Sequence, residues 1–417
     1  MTADPDLESI VTHGLCAGCG LCASLAGSER VRMAVTSAGR MRPWLTGALD
    51  ADTLERIRSV CPGIRVTGPD PDQVGSTGTF HPVWGPVRTI QRGWAADPDV
   101  RFRAAAGGAL TALGVYLLES GAVEAVLHVR ASETAPLFTD AQVSTTAEEV
   151  KAGAQSRYGP AAPLVPVHAL LDAGRRFAVI GKPCDVAAIR NLARIDARVD
   201  AQIPYGLTLF CGGVPTHHTA RAIAAHCGVA EEEIAAFRWR GHGWPGATHI
   251  ETRDGRTCDL TYDQVWFDPA APWRYDVQFR CKICPDAIGE LGDVACPDGW
   301  ILRDGAPVHE EAPGENLLIA RTERGERLVA DAAAAGALEL RPFALAELDA
   351  MHADHLPRKL SHPARVAALR CLGQPAPRFE RFRRGRMLLR AGLARSLRAF
   401  AGTLRRVRAG AHREPLR

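Results

Sequence analysis

The sequence predicts an α/β protein: a mixed, largely parallel sheet covered by helices, with a cysteine-bearing segment before it and a helical extension after it. Three observations predict this. Apolar strand and helix patterns alternate from about Pro86 to Ala335, which favours strands joined by helical crossovers. Residues 1–72 carry a dense cysteine motif and end at the turn-rich Gly68-Pro69-Asp70-Pro71-Asp72. Residues 346–417 read as helical and end rich in Arg. The 417 residues allow two or three domains with ample material for a buried core, and the units expected are 1–72, 86–345 and 346–417, with 73–85 as a linker.

Each element follows from its pattern. Ala109 to Ser120 is apolar at helical spacing and Gly121 stops it, so Ala122 to Val129 becomes a strand. Leu164 to Ala173 reads as a helix, Arg176 to Ile180 as a short buried strand, and Pro183 starts another helix running to Ala193. Leu207 to Phe210 is a strand and Pro215 to Cys227 a helix. Residues 235–262 read as strands around a hairpin at Asp254-Gly255. A loop then carries Cys281 and Cys284, a strand lies near Asp293 to Ala295, and Leu317 to Ala320 with the helix Glu323 to Ala335 close the unit. Residues 344–372 are helical in pattern.

Hydrophobic residues at 46% and charged residues at 23% exclude wholesale disorder. The apolar stretch Ala104 to Leu118 is too short to cross a bilayer and contains glycines. Asp4, Asp6 and Glu8 stand where a secretory signal needs basic residues. The expectation is a soluble cytoplasmic protein, whose twelve cysteines are thiols or metal ligands rather than disulfides. Charge is segregated: residues 378–417 carry +11 of a total of +3, leaving −8 for the rest.

Cys16-x2-Cys19-x2-Cys22, with a distant Cys61-Pro62, has the spacing of a cubane iron–sulfur site. Gly14, Gly18 and Gly20 let backbone amides approach cluster sulfurs closely. Zinc competes, although structural zinc prefers paired knuckles to a three-cysteine run. A second group is scattered: Cys184 in Gly-Lys-Pro-Cys, Cys211 in Phe-Cys-Gly-Gly, and Cys281-x2-Cys284-Pro. Four thiolates suffice for a second cluster, Cys296 competes for a place in the set, and each alone reads equally well as a buried thiol. Cys227, Cys258 and Cys371 lack a companion motif and are expected to be structural thiols.

A cluster passes one electron at a time, so chemistry on an organic molecule needs a two-electron partner such as a flavin. No Gly-x-Gly-x-x-Gly follows a strand. Gly107-Gly108 opens a helix whose first turn holds Thr111, Ser156-Arg157-Tyr158 offers a hydroxyl, a cation and an aromatic plane, and Lys182 lies at another helix start. A Gly-Gly before a helix serves tight packing as readily as a phosphate.

These motifs in this order resemble the coenzyme F420 hydrogenase/dehydrogenase beta-subunit family, which includes ferredoxin-dependent reductases of chlorophyll metabolism. The matching stretches are Cys16 to Cys22, Gly107 to Leu113, Gln155 to Tyr158, Gly181 to Cys184, Phe210 to Gly212, Cys281 to Asp286 and Asp293 to Trp300. The resemblance implies a ferredoxin-like [4Fe–4S] segment joined to a flavin domain that binds FAD and one or two clusters. It implies that Cys16, Cys19, Cys22 and Cys61 hold one cluster, and that Cys184, Cys211, Cys281 and Cys284 hold the one nearer the flavin. Gly107, Gly108, Thr111, Ser156, Arg157, Tyr158 and Lys182 map to stretches the family uses around FAD. Cys296-Pro297 is inserted before Asp298-Gly299-Trp300, and Gln155 stands where relatives often have glycine.

The function implied is an oxidoreductase linking ferredoxin or a partner subunit to an organic acceptor, deazaflavin-like or tetrapyrrole-like. The alternatives are a non-catalytic electron-transfer subunit and a zinc-stabilised interaction protein. Among fourteen histidines, His217-His218, His242 and His249 read as ordinary residues, with His217 or His242 as proton donor if either faces the flavin. Leu389, Leu393, Leu397, Phe400, Leu404 and Val407 recur at helical spacing among arginines. Such a helix suits an anionic membrane surface or an acidic partner, and equally packing on the body; no reader motif points to nucleic acid.

Overall fold

A computed structural model describes residues 6–273 and 276–416; Asp4 and Arg417 lie outside the described residues. The centre is an eight-stranded sheet made of β1 (Thr89–Ala95), β2 (Ala125–Ala131), β3 (Thr139–Ser144), β4 (Phe177–Gly181), β5 (Tyr205–Thr208), β6 (Val294–Ala295), β7 (Asn316–Ala320) and β8 (Leu338–Pro342). Their spatial order is β8-β1-β7-β6-β5-β4-β2-β3. The β6-β5, β5-β4 and β4-β2 pairs are parallel; the other four are antiparallel. The expected largely parallel sheet is therefore a parallel centre with antiparallel flanks. Parallel neighbours need a long crossover. Only a small hairpin, Ile301–Arg303 with Ala306–Val308, lies between β6 and β7, and a short turn joins β2 to β3.

The helices that matter here are α1 (Leu21–Ala26), α2 (Ala51–Val60), α3 (Ala109–Glu119), α4 (Pro183–Leu192), α5 (His217–His226), α6 (Phe279–Lys282), α7 (Glu323–Ala334), α8 (His355–Cys371) and α9 (Arg384–Arg408). Helix α3 buries Ala112, Leu113, Val115 and Leu117 with Val126, Ala178, Leu207 and Leu318 of the sheet, so the alternation in the sequence becomes one hydrophobic cluster. Cys281 sits in the single helical turn α6 rather than in a loop.

Two further expectations change. Residues 73–85 are no linker: Thr79–His81 pairs with Gly85–Val87, and Val83 and Trp84 are fully buried, with Trp84 Nε1 donating to Asp349 at 2.6 Å. The apolar pair outweighs the small polar residues around it. Cys227 and Cys258 form a disulfide rather than two separate thiols, because the end of α5 comes to lie against the strand Thr257–Leu260.

The C-terminal extension is woven into the N-terminal segment. Arg378–Glu380 pairs in parallel with Arg65–Thr67. Leu369 and Val407 pack in one cluster with Ile10, Leu15 and Cys16, and Glu414 binds the guanidinium of buried Arg42 through both carboxylate oxygens at 2.6 and 2.9 Å. The expected single stripe of α9 is split at Gly392, where the backbone leaves the helical region. Leu389, Leu393 and Leu397 are 85%, 76% and 57% exposed, whereas Phe400 and Leu404 are half-buried and Val407 is buried. Among the described residues no helix is long and apolar enough to cross a membrane.

Candidate redox site

Two hollows and one larger cavity form a row. The first hollow is lined by Cys16, Cys19, Cys22 and Cys61. Gly18 and Gly20 turn the loop with φ of 76° and 86°, a region that other residues avoid, and Gly20 caps α1 so that Cys22 falls in its first turn. Cys61 follows the last residue of α2 and completes the set. The Gly18 amide points at Cys16 Sγ at 3.4 Å. Burial pushes all four thiols up, and neighbouring thiols add to the rise for Cys19, Cys22 and Cys61; Cys61 is pushed up to about 12.

The second hollow is lined by Cys184, Cys211, Cys281 and Cys284, so the fold gathers the four scattered cysteines. Cys184 lies in the first turn of α4, directly after β4. Cys211 follows β5 and is fixed by its amide donating to Ala287 O at 2.8 Å. Cys281 Sγ accepts from the Val214 amide at 3.4 Å. Burial, with the neighbouring Cys281, raises Cys211 to about 12 while Arg358 pulls it down. Cys296 does not line this hollow: it is buried at the wall of the larger cavity, its thiol raised by burial alone.

The larger cavity measures about 240 Å³. Gly108, Thr111, Ser156, Arg157, Tyr158 and Lys182 line it. Gly107 does not; it packs against the Gly93 carbonyl and the Asn316 amide, where a Cβ would come within 2.8 Å of both. Arg157 donates to the Phe237, Pro136 and Phe138 carbonyls at 2.7–3.1 Å, which ties three segments to the wall. Lys182 pairs with buried Asp185 at 2.8 Å, and Asp185 Oδ1 has no hydrogen-bond partner among the described residues. Sequence reasoning missed Arg240. Its guanidinium binds the Tyr158 hydroxyl, Asp298 and the Ala105 carbonyl, placing Tyr158 and Asp298 side by side. Burial works against that charge, but Asp298 and the nearby tyrosines hold its pKa above the usual value. Only folding brings residues 158, 240 and 298 together, so no local motif could reveal it.

Shared walls connect the row. Ala17 borders both hollows, and Cys211 borders the second hollow and the large cavity. Neither His217 nor His242 lines the cavity. His217 is stacked on Phe138, and His242 sits against Phe102. His218 and His249 bond Ser37 O and Asp259 elsewhere.

Each hollow is lined by four cysteines, the donor set that a cubane cluster takes. The cavity has room for a flat ring system; the remainder of a dinucleotide would have to lie outside it.

Comparison with known proteins agrees with this topology. Residues 90–168 match the family described as the N-terminal part of the coenzyme F420 hydrogenase/dehydrogenase beta subunit, and residues 174–345 match the family described as the C terminus of that same subunit. The coenzyme F420 hydrogenase subunit beta of Methanococcus voltae is 26% identical over 312 residues, covering 70% of this chain and 99% of that one. The F420-dependent formate dehydrogenase subunit beta of Methanocaldococcus jannaschii is 27% identical over 257 residues, 59% of this chain and 60% of that one. A chain of the F420-reducing [NiFe] hydrogenase complex from Methanosarcina barkeri shares the fold, with a TM-score of 0.50 and 20% identity over 63% of this chain and 85% of that chain. With both halves of its central unit matched, the chain belongs to the coenzyme F420 hydrogenase/dehydrogenase beta-subunit family.

Proposed function

We propose that this chain is an iron–sulfur flavoprotein oxidoreductase that passes electrons between a redox partner and an organic acceptor. The observation that carries the proposal is the row itself: two four-cysteine hollows meeting at Ala17, the second meeting the large cavity at Cys211. Cys16, Cys19, Cys22 and Cys61 would hold one [4Fe–4S] cluster, and Cys184, Cys211, Cys281 and Cys284 a second. Gly108, Thr111, Ser156, Tyr158 and Lys182 would hold the ring and phosphates of FAD. When bound, these groups supply one-electron transfer and its pairing into two-electron chemistry.

The chain's own residues supply position and charge. Asp185 fixes Lys182 at the cavity wall and leaves one carboxylate oxygen free to accept a hydrogen bond from a ligand. Arg240 holds Tyr158 and Asp298 in fixed orientation, so a polar edge of the ligand meets a preorganised wall. Apolar residues pack around Cys16 and Cys19, the two buried cysteines of the first hollow.

The relatives are named as subunits of hydrogenase and formate dehydrogenase, so the donor side is a partner subunit or ferredoxin. The acceptor is a deazaflavin-like or tetrapyrrole-like ring. Anaerobic purification with iron, sulfide and flavin analysis tests the proposal: eight irons and one FAD per chain are expected. Zinc without iron would replace it with a zinc-stabilised interaction protein. Turnover of a small acceptor by the purified chain separates an enzyme from a non-catalytic electron carrier.

A further inference from the structure

Arg280 occupies the ground between the two cysteine hollows. It stands next to Cys281 in α6 and is 3% exposed. It lines the hollow of Cys184, Cys211, Cys281 and Cys284. From there its Nη2 reaches across to donate to the Pro62 carbonyl at 3.1 Å. Pro62 follows Cys61 and lines the other hollow. One side chain thus touches the walls of both.

Its charge lacks the compensation that other buried arginines have. Arg42 is clamped by Glu414 and Arg240 by Asp298, and Arg321 spends its guanidinium on three carbonyls. Arg280 has no carboxylate within ion-pair distance among the described residues, and its Nε has no hydrogen-bond partner. What remains is the Pro62 carbonyl, a neutral acceptor, and the Phe379 ring, 5.0 Å from the guanidinium carbon. An unpaired charge at this depth is costly unless an anion faces it. Cys281 is its neighbour in α6, and Cys61 directly precedes the Pro62 whose carbonyl it holds.

We propose that Arg280 is a counter-charge shared by the two cysteine sites, setting the reduction potential of both at once. This rests on the two-cluster reading above. A cluster held by four thiolates is anionic and gains a further negative charge on reduction, so a fixed buried cation favours the reduced form. Lying between the two, it shifts them in the same direction. It acts as a positioning and electrostatic residue and touches no substrate.

The test is an EPR-monitored redox titration of the reconstituted full chain, as wild type, Arg280→Met and Arg280→Lys. In Arg280→Met, eight irons are retained and both signals move to more negative potential. The expected size is roughly a tenfold change in each oxidised-to-reduced ratio, about 59 mV for a one-electron couple. Arg280→Lys restores most of both shifts, because it keeps the charge while losing the planar fork. Iron-free Arg280→Met should melt no lower than iron-free wild type, since without anionic sulfur the buried cation has nothing to face; a purely structural arginine would give a lower midpoint. If Arg280→Met fails to accumulate, Arg280→Gln carries the same expectation. A shift in only one signal, no shift, or a lysine variant that behaves like methionine overturns the assignment. Fewer than eight irons in the wild type instead defeats the two-cluster reading, and the shared counter-charge with it.

Discussion

The two cysteine hollows hold the same four donors and are built in opposite ways. The first draws three cysteines from one seven-residue stretch, 16–22, a loop running into the first turn of α1, and only Cys61 from elsewhere. The second draws one from a helix start after β4, one from the loop after β5, and two from around a single helical turn. The first is a property of a local loop conformation; the second is a property of the sheet. Its cysteines converge because β4 and β5 are parallel neighbours, so the segments following both emerge at the same edge, where ligand sites of open α/β sheets form.

The contrast is broken most directly by removing one ligand from each. Cys19→Ala and Cys184→Ala should each lower iron from eight to four per chain while leaving the other EPR signal intact; a single variant that empties both sites would show them to be one unit. The next largest effect is expected from Glu414→Ala, which leaves buried Arg42 unpaired. A broken buried pair costs about 3–5 kcal/mol, read by denaturant unfolding. Iron should be lost from the Cys16 site first, because the Glu414 clamp is what fixes Arg42, whose guanidinium lies against Gly18 of that site.

The smallest effect sharpens the comparison from the side of the sheet. Burial depresses His352 and His362 to about 3, with the neighbouring His355 and Lys359 adding to it. His352 packs at a tilt against Phe210, and His362 Nδ1 meets the Ile283 carbonyl, so both pack behind the second hollow. A depressed base is neutral in the fold and takes up its proton on unfolding. Stability from these residues is therefore complete above about pH 6.5 and declines toward pH 3, by roughly 1.4 kcal/mol per pH unit for each. Thermal unfolding monitored between pH 7 and pH 4 should fall along that slope, and His362→Gln should flatten it.

The same contrast separates what is legible in the sequence from what is not. The Cys16–Cys22 motif is legible because its ligands are neighbours in the chain. Cys184, Cys211, Cys281 and Cys284 are individually indistinguishable from buried thiols; their number allows a second cluster, and the family resemblance strengthens that grouping. Strand and helix positions in 109–335 are legible from alternation, but not the pairing directions, which depend on connections such as residues 296–315 that have no periodicity. Trp84 within a Gly- and Thr-rich stretch, the Arg42–Glu414 clamp and the Cys227–Cys258 bond are long-range events with no local signature. Gly107 and Gly108 look equivalent in sequence, yet only Gly108 faces the cavity.

The braid between the two ends of the chain has a consequence for maturation. The loop that carries Cys16, Cys19 and Cys22 emerges from the ribosome first, yet Leu369, Val407 and Glu414, which shut it in, emerge hundreds of residues later. The wall behind Cys16 is therefore complete only after the far end of the chain has docked on it, which ties the formation of this local loop to the last part of the sequence.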